Sequence, residues 1–321
     1  MRFTQAAVAA AVAVGTTSAQ RPSNTSICDY YTTALLKDNT ADNQATLLTL
    51  VVNTVVIGNY TMPNVGIMVP GILAPGTFNG TDVNLLPYFT GELASSNRGG
   101  DTGVSINFLD GGGAEPLMKN MAANDDTSMQ YFLLTHLYQF FGSLLGCSMQ
   151  GMPGFDAYTG HASMYEVHKF MDLNPYEMGY FIEQVAMAAA SFGVAEDDLT
   201  VVGTALNSLF NYRCAPATTV IPAQGAQLQS ICIDGSCPVA MENATCSAYD
   251  PVLVPTNSTT NATATAPGSV GTATMSAGAS GTMTGSSTGS SASSTAATAG
   301  AIANGVNFAA VMAGVFATFM L

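Results

Sequence analysis

The residues best able to do chemistry in this 321-residue chain are two of its three histidines. In Met129, Phe132, Leu133, His136, Leu137, Phe140, Phe141 and Leu144, large apolar residues recur at steps of three and four, and His136 falls inside the stripe. His168 does the same among Met164, Val167 and Met171. These periods are helical. An imidazole that faces a core needs partners, because an unpaired buried polar group costs about 1–3 kcal/mol. A single inward histidine is an ordinary core residue. Two of them, on two helices, suggest something held between them, and the iron of a haem suits imidazole ligands.

Other chemistries fit less well. A zinc site from His136, His161 and His168 needs three imidazoles to converge, and no nearby carboxylate stands out as a base. Met164, Met171, Met178 and Met187 read as core packing rather than a copper site. No Gly-x-Ser-x-Gly turn lies between Gln20 and Asp250. The acid pairs Asp125-Asp126 and Asp197-Asp198 stand at helix starts, where negative charge is structural. Gly111-Gly112-Gly113 lacks the surroundings of a phosphate loop.

The elements that must position the histidines are helical. Thr127 to about Leu145 reads as one helix, stopped at Gly146, and Ala162 to about Asp172 as a shorter one. Asn174-Pro175-Tyr176-Glu177 supplies an N-cap, a first-turn proline and a capping-box acid. That helix should bury Met178, Phe181, Ile182, Val185, Ala189 and Phe192 and close at Gly193. Glu196-Asp197-Asp198 starts another, with Leu199, Val202, Leu206, Leu209 and Phe210 on its face. Upstream, Cys28 to Gly58 looks mainly helical, although the β-branched run Val51–Ile57 also suits a strand. Residues 60–110 are rich in Gly, Pro and Asn and predict a long surface excursion with small strands at most. The expected fold class is all-α.

In order and spacing, Phe140-Phe141-Gly142-Ser143-Leu144-Leu145-Gly146, then Tyr158-Thr159-Gly160, then Met164 and His168, resemble the truncated haemoglobins. So do Leu173 before a capped helix, Ser191-Phe192-Gly193-Val194 and the acid-started last helix. The resemblance covers about 128–212. It implies a globin-like core with an irregular insertion of about 60–127, and haem b as cofactor. His168 would be the proximal iron ligand and His136 a distal one, with Leu133, Leu137, Phe141, Tyr158, Met164 and Val56 lining the pocket. The family's distal tyrosine has no clear counterpart, since Val56 aligns there, so chemistry that polarises bound oxygen is not expected. Cys147 replaces a glycine of the family, and the link to Tyr158 is longer than usual.

The rest of the chain concerns location. Met1-Arg2 and the apolar run Ala6–Gly15, followed by Thr17-Ser18-Ala19, read as a signal peptide of residues 1–19. Residues 20–250 would be the folded domain. Pro251 to Gly300 carries no charged residue and is mostly Ser, Thr, Ala and Gly, the composition of a disordered, O-glycosylated stalk. The strongly apolar segment Val306–Leu321 would reach roughly 24 Å as a helix, short of a ~30 Å hydrocarbon core. With small residues and a spacer before it, 301–321 reads as a GPI-anchor signal that is removed, which would leave the domain on the outer leaflet or in the cell wall. Six sequons, at Asn24, Asn59, Asn79, Asn243, Asn257 and Asn261, fit export. Cys28, Cys147, Cys214, Cys232, Cys237 and Cys246 suggest three disulfides of unassigned pairing, with a local Cys232–Cys237 bridge plausible across Asp234-Gly235. A net charge of −14 with seven basic residues argues against nucleic acid as a partner. Two expectations follow: a surface haem protein in electron transfer, gas or redox sensing or haem capture, or a structural glycoprotein with a globin-like core and no cofactor.

Overall fold

The apolar periods of residues 27–57 and 129–210 fold as a helical core, seen in a computed structural model that describes residues 20–61, 66–97 and 101–258. The proposed signal peptide, the anchor signal, Asn261 and the stalk beyond Ser258 lie outside these residues. Eight α-helices and five short strands are found among the described residues. The first helix, α1 (Ile27–Leu36), is capped by Ser26 and ends at Lys37 in a positive-φ conformation. After Thr40 as N-cap comes α2 (Ala41–Ile57). The run Val51–Ile57 is therefore helix and not strand, because it continues a capped segment whose Leu47, Leu48, Val52, Val55 and Val56 are buried.

Residues 60–127 are irregular, as expected, but better organised than a surface excursion. They hold a hairpin of β1 (Gly76–Phe78) and β2 (Thr81–Val83), the short helices α3 (Leu86–Thr90) and α4 (Ala114–Leu117), and the antiparallel strands β3 (Leu93–Ser96) and β4 (Val104–Ser105). Val69, Ile72, Val83, Leu85 and Leu117 of this stretch are buried in the main core.

The long helices follow. They are α5 (Met129–Leu145), α6 (Met164–His168), α7 (Pro175–Ser191) and α8 (Glu196–Phe210). Asp110 accepts the free N–H groups of Met129 and Gln130 at the start of α5, and Gly146 ends it in the left-handed conformation. The capping box at α7 is present, with Asn174 accepting from Glu177 and the Glu177 carboxylate accepting from Asn174. Helix α2 packs against both α5 and α7, α7 pairs with α8, and α1 lies on α2. Polar groups brace these contacts inside the core. The Tyr138 hydroxyl donates to Asn53 at 2.6 Å, and Asn53 donates to the Leu117 carbonyl at 3.1 Å.

The six cysteines form Cys28–Cys147, Cys214–Cys246 and Cys232–Cys237. The local bridge is the one expected across Asp234-Gly235, and the full set fits an exported protein. No described helix is long and apolar enough to cross a membrane. The last strand, β5 (Thr256–Asn257), pairs with β3 inside the stretch whose composition reads as stalk.

Candidate functional site

The face of α5 turned to the core overlaps only in part with the one the apolar spacing selects, sharing Met129, Phe140 and Phe141. Leu134, Tyr138, Phe140 and Phe141 are buried together with Gln130, while Phe132, Leu133, His136, Leu137 and Leu144 are only half-buried. Apolar residues surround this helix on most sides, so spacing alone does not fix its inward face. Gln130 is accommodated because its amide bonds Gly113 and the Ala122 carbonyl, and Tyr138 because of Asn53. His136 thus stands at the margin of the core. Its ring meets the edge of Tyr158 at 5.9 Å between centroids. Burial alone lowers its pKa from the ordinary 6.5. No hydrogen-bond partner is found for it among the described residues.

His168 closes α6, a helix of only five residues. Its Nδ1 lies 2.6 Å from the Met164 carbonyl, one turn back. A carbonyl can only accept, so Nδ1 carries the proton and the neutral ring has its free lone pair on Nε2. Burial depresses the pKa of His168, and the Met164 carbonyl opposes this in part. Nε2 has no partner among the described residues.

The other expected pocket residues fall into two groups. Val56, Phe141 and Met164 belong to the buried core, and Leu133, Leu137, Tyr158, Val167 and Met171 are half-buried against it. Val56 is held by its backbone, its carbonyl accepting from Leu73 at 3.1 Å. Tyr158 packs on Phe140 as well as His136, and its hydroxyl donates to the His161 carbonyl at 2.8 Å. Burial pushes its phenol up to about 12. His161 itself is exposed, with Nδ1 accepting from the Ser163 N–H at 3.1 Å. It carries the opposite tautomer to His168 and turns its lone pair to its own backbone. No group of three His, Cys, Asp or Glu side chains able to hold a metal ion is found among the described residues. A three-histidine zinc centre therefore has no support.

Two cavities bear on whether a haem could be seated. One of about 40 Å³ lies among Ile27, Leu144, Leu145 and Val202. The other, about 270 Å³, lies among Asp42, Thr46, Thr49, Asn120 and Gly154. Neither is lined by a histidine, and organic ligands occupy pockets on the order of 300–1,000 Å³. His168 Nε2 has the chemistry of an iron ligand, but neither cavity adjoins it and no opening of porphyrin size is found beside it among the described residues.

Sequence reasoning missed a second polar centre. Asp198, at 6% exposure, takes the Arg21 guanidinium at 2.9 Å and the Tyr31 hydroxyl at 2.9 Å. Only the acid-rich start of α8 hinted at it. All five described sequon asparagines, Asn24, Asn59, Asn79, Asn243 and Asn257, are exposed. Comparisons with family models, with curated proteins and with solved structures find no match for this chain.

Proposed function

We propose that this domain binds haem b at the outer face of the cell, with His168 Nε2 as the iron ligand. The observation that carries the reading is the state of His168. Its ring is held by a backbone carbonyl through Nδ1 and kept neutral by burial, and its Nε2 has no partner among the described residues. Hydrogen bonding of the second ring nitrogen is the usual support of a metal-bound imidazole. Haem would supply reversible iron redox chemistry and binding of small gaseous ligands. The chain's own contribution would be to orient the His168 imidazole through the Met164 carbonyl, with His136 of α5, which packs on Tyr158, as a second ligand only if the two helices come together. A distal side without a strong hydrogen-bond donor suits electron transfer, sensing or haem capture better than oxygen activation. On this reading the folded domain is held at the outer leaflet by the processed C-terminal anchor.

The test is a haem titration of wild type and His168→Ala. Stoichiometric binding lost in the variant, with far-ultraviolet helicity unchanged, is the expected result. Equal affinity and spectra in both proteins would remove the assignment. The second reading, a structural glycoprotein with a globin-like core, draws on the packing of His136 against Tyr158 and on cavities that carry no histidine. It predicts no saturable haem binding at all.

A further inference from the structure

A helix of five residues cannot hold its own position, since nucleating a helix costs more than so few hydrogen bonds return. Whatever fixes α6 therefore fixes His168. Its start is docked by Ser163 Oγ donating to the Leu228 carbonyl at 2.7 Å and by the Tyr165 N–H on the same carbonyl at 3.3 Å. Just after β3, the Asn97 amide donates to the Glu166 carbonyl at 2.8 Å. Gln229 adds a contact with the Met164 N–H at 3.3 Å, and the C-terminal segment holds the Tyr165 and Lys169 side chains. The Tyr249 ring meets the Tyr165 ring edge-on at 4.6 Å, and the Asp250 N–H donates to the Tyr165 hydroxyl at 2.8 Å. Lys169, next to His168 and 9% exposed, reaches Asp250 at 3.1 Å and Glu166 at 2.9 Å.

The segment that makes these contacts is itself anchored at both ends. Cys246 is bonded to Cys214, and the Tyr249 hydroxyl donates to the Ala215 carbonyl at 2.6 Å. Further on, Thr256 and Asn257 pair with β3, and the Ser258 N–H donates to Glu92.

We propose that residues 246–258 form a strap that positions His168, with Tyr249 and Asp250 as its positioning residues acting through Tyr165 and Lys169. The last folded segment is thus part of the iron-ligand support and not the beginning of a passive spacer. Between Ser258 and these contacts stands the pairing of Thr256 and Asn257 with β3, so the segment is held on both sides of Tyr249 and Asp250. The effect on haem rests on the reading proposed above; the effect on α6 does not.

The experiment uses the full secreted chain as wild type, Asp250→Asn and Tyr249→Leu, with Lys119→Ala as a distant surface control. Amide exchange is followed over 164–170 and, as a check on the global fold, over α7 and α8. The strap predicts that exchange in 164–170 speeds up by about tenfold or more in Tyr249→Leu and by about two- to threefold in Asp250→Asn, which keeps the backbone N–H to Tyr165, while α7 and α8 keep wild-type protection. Haem bound to these variants should then dissociate several-fold faster. The milder Asp250→Asn keeps the test open if Tyr249→Leu loosens the whole domain. Wild-type exchange in 164–170 of a strap variant whose α7 and α8 stay protected, or a loss spread equally over α7 and α8 in both variants, would overturn the strap. Failure of the wild type to take up haem would overturn the cofactor reading alone, because the exchange measurement needs no haem.

Discussion

His168 and His136 differ in how they are held, and the difference predicts different roles. His168 is tied to the Met164 carbonyl, whereas His136 only leans on Tyr158. The fixed ring suits a permanent ligand and the loose one a displaceable ligand. His136→Leu should therefore retain haem but convert a six-coordinate, low-spin spectrum to a five-coordinate, high-spin one with faster carbon monoxide binding. A wild type already high-spin would exclude His136 from the iron. Both histidines also bear on acid stability. Their folded pKa values lie below the ordinary 6.5, so the unfolded chain binds protons first. Their contribution is complete above pH 6.5 and is lost as pH falls from there through the folded values. Glu177, Glu183 and Asp172 are shifted upward, mainly by burial, and act in the opposite sense. Their contribution is present at acid pH and lost as pH rises through their folded values. Apo His136→Leu/His168→Leu should thus lose less stability than wild type between about pH 7 and about pH 5.5. Parallel urea midpoints over that range would show that the histidines are not buried neutral.

At the scale of elements, caps were more legible than faces. Asn174-Pro175-Tyr176-Glu177 announces the start of α7 because a capping box is local chemistry, and Asn174→Ala should cost about 1 kcal/mol in equilibrium unfolding. Local signals likewise mark Gly146 and the start of α8. The inward face of α5 was legible only in part, because Gln130 and Tyr138 enter the core only through partners far away in sequence. The hairpin was hidden for the same reason: its place on α7 depends on Gly179, whose missing side chain leaves room for the Phe78 ring. Gly179→Ala would force that ring away, so it should destabilise the domain despite better helix propensity. A neutral or stabilising result would mean that the hairpin moves freely. The strap on α6 was concealed by composition, since 251–258 share the uncharged character of the residues that follow.

Across the whole molecule, long-range ties join the first helix to the last. Cys28–Cys147 links α1 to the end of α5 across a separation of 119 residues. Arg21 and Tyr31 converge on Asp198 at the start of α8. Removing one partner of a buried ion pair costs roughly 3–5 kcal/mol, because the other charge is left without compensation. Asp198→Ala should therefore lower the thermal midpoint far more than Glu115→Ala, which breaks only an exposed pair with Lys119. Similar midpoints for the two variants would mean that the Arg21 contact is not kept in solution. The three disulfides, the exposed sequons and the excess of acids describe a domain built for an oxidising exterior. On the reading proposed above, the domain carries haem on His168. The most direct test is the absorption spectrum of the chain secreted from a haem-supplied host, read beside that of His168→Ala. A Soret band at one haem per chain in the wild type, absent from a folded His168→Ala protein, is predicted. A colourless wild type, or an undiminished band in the variant, would contradict it.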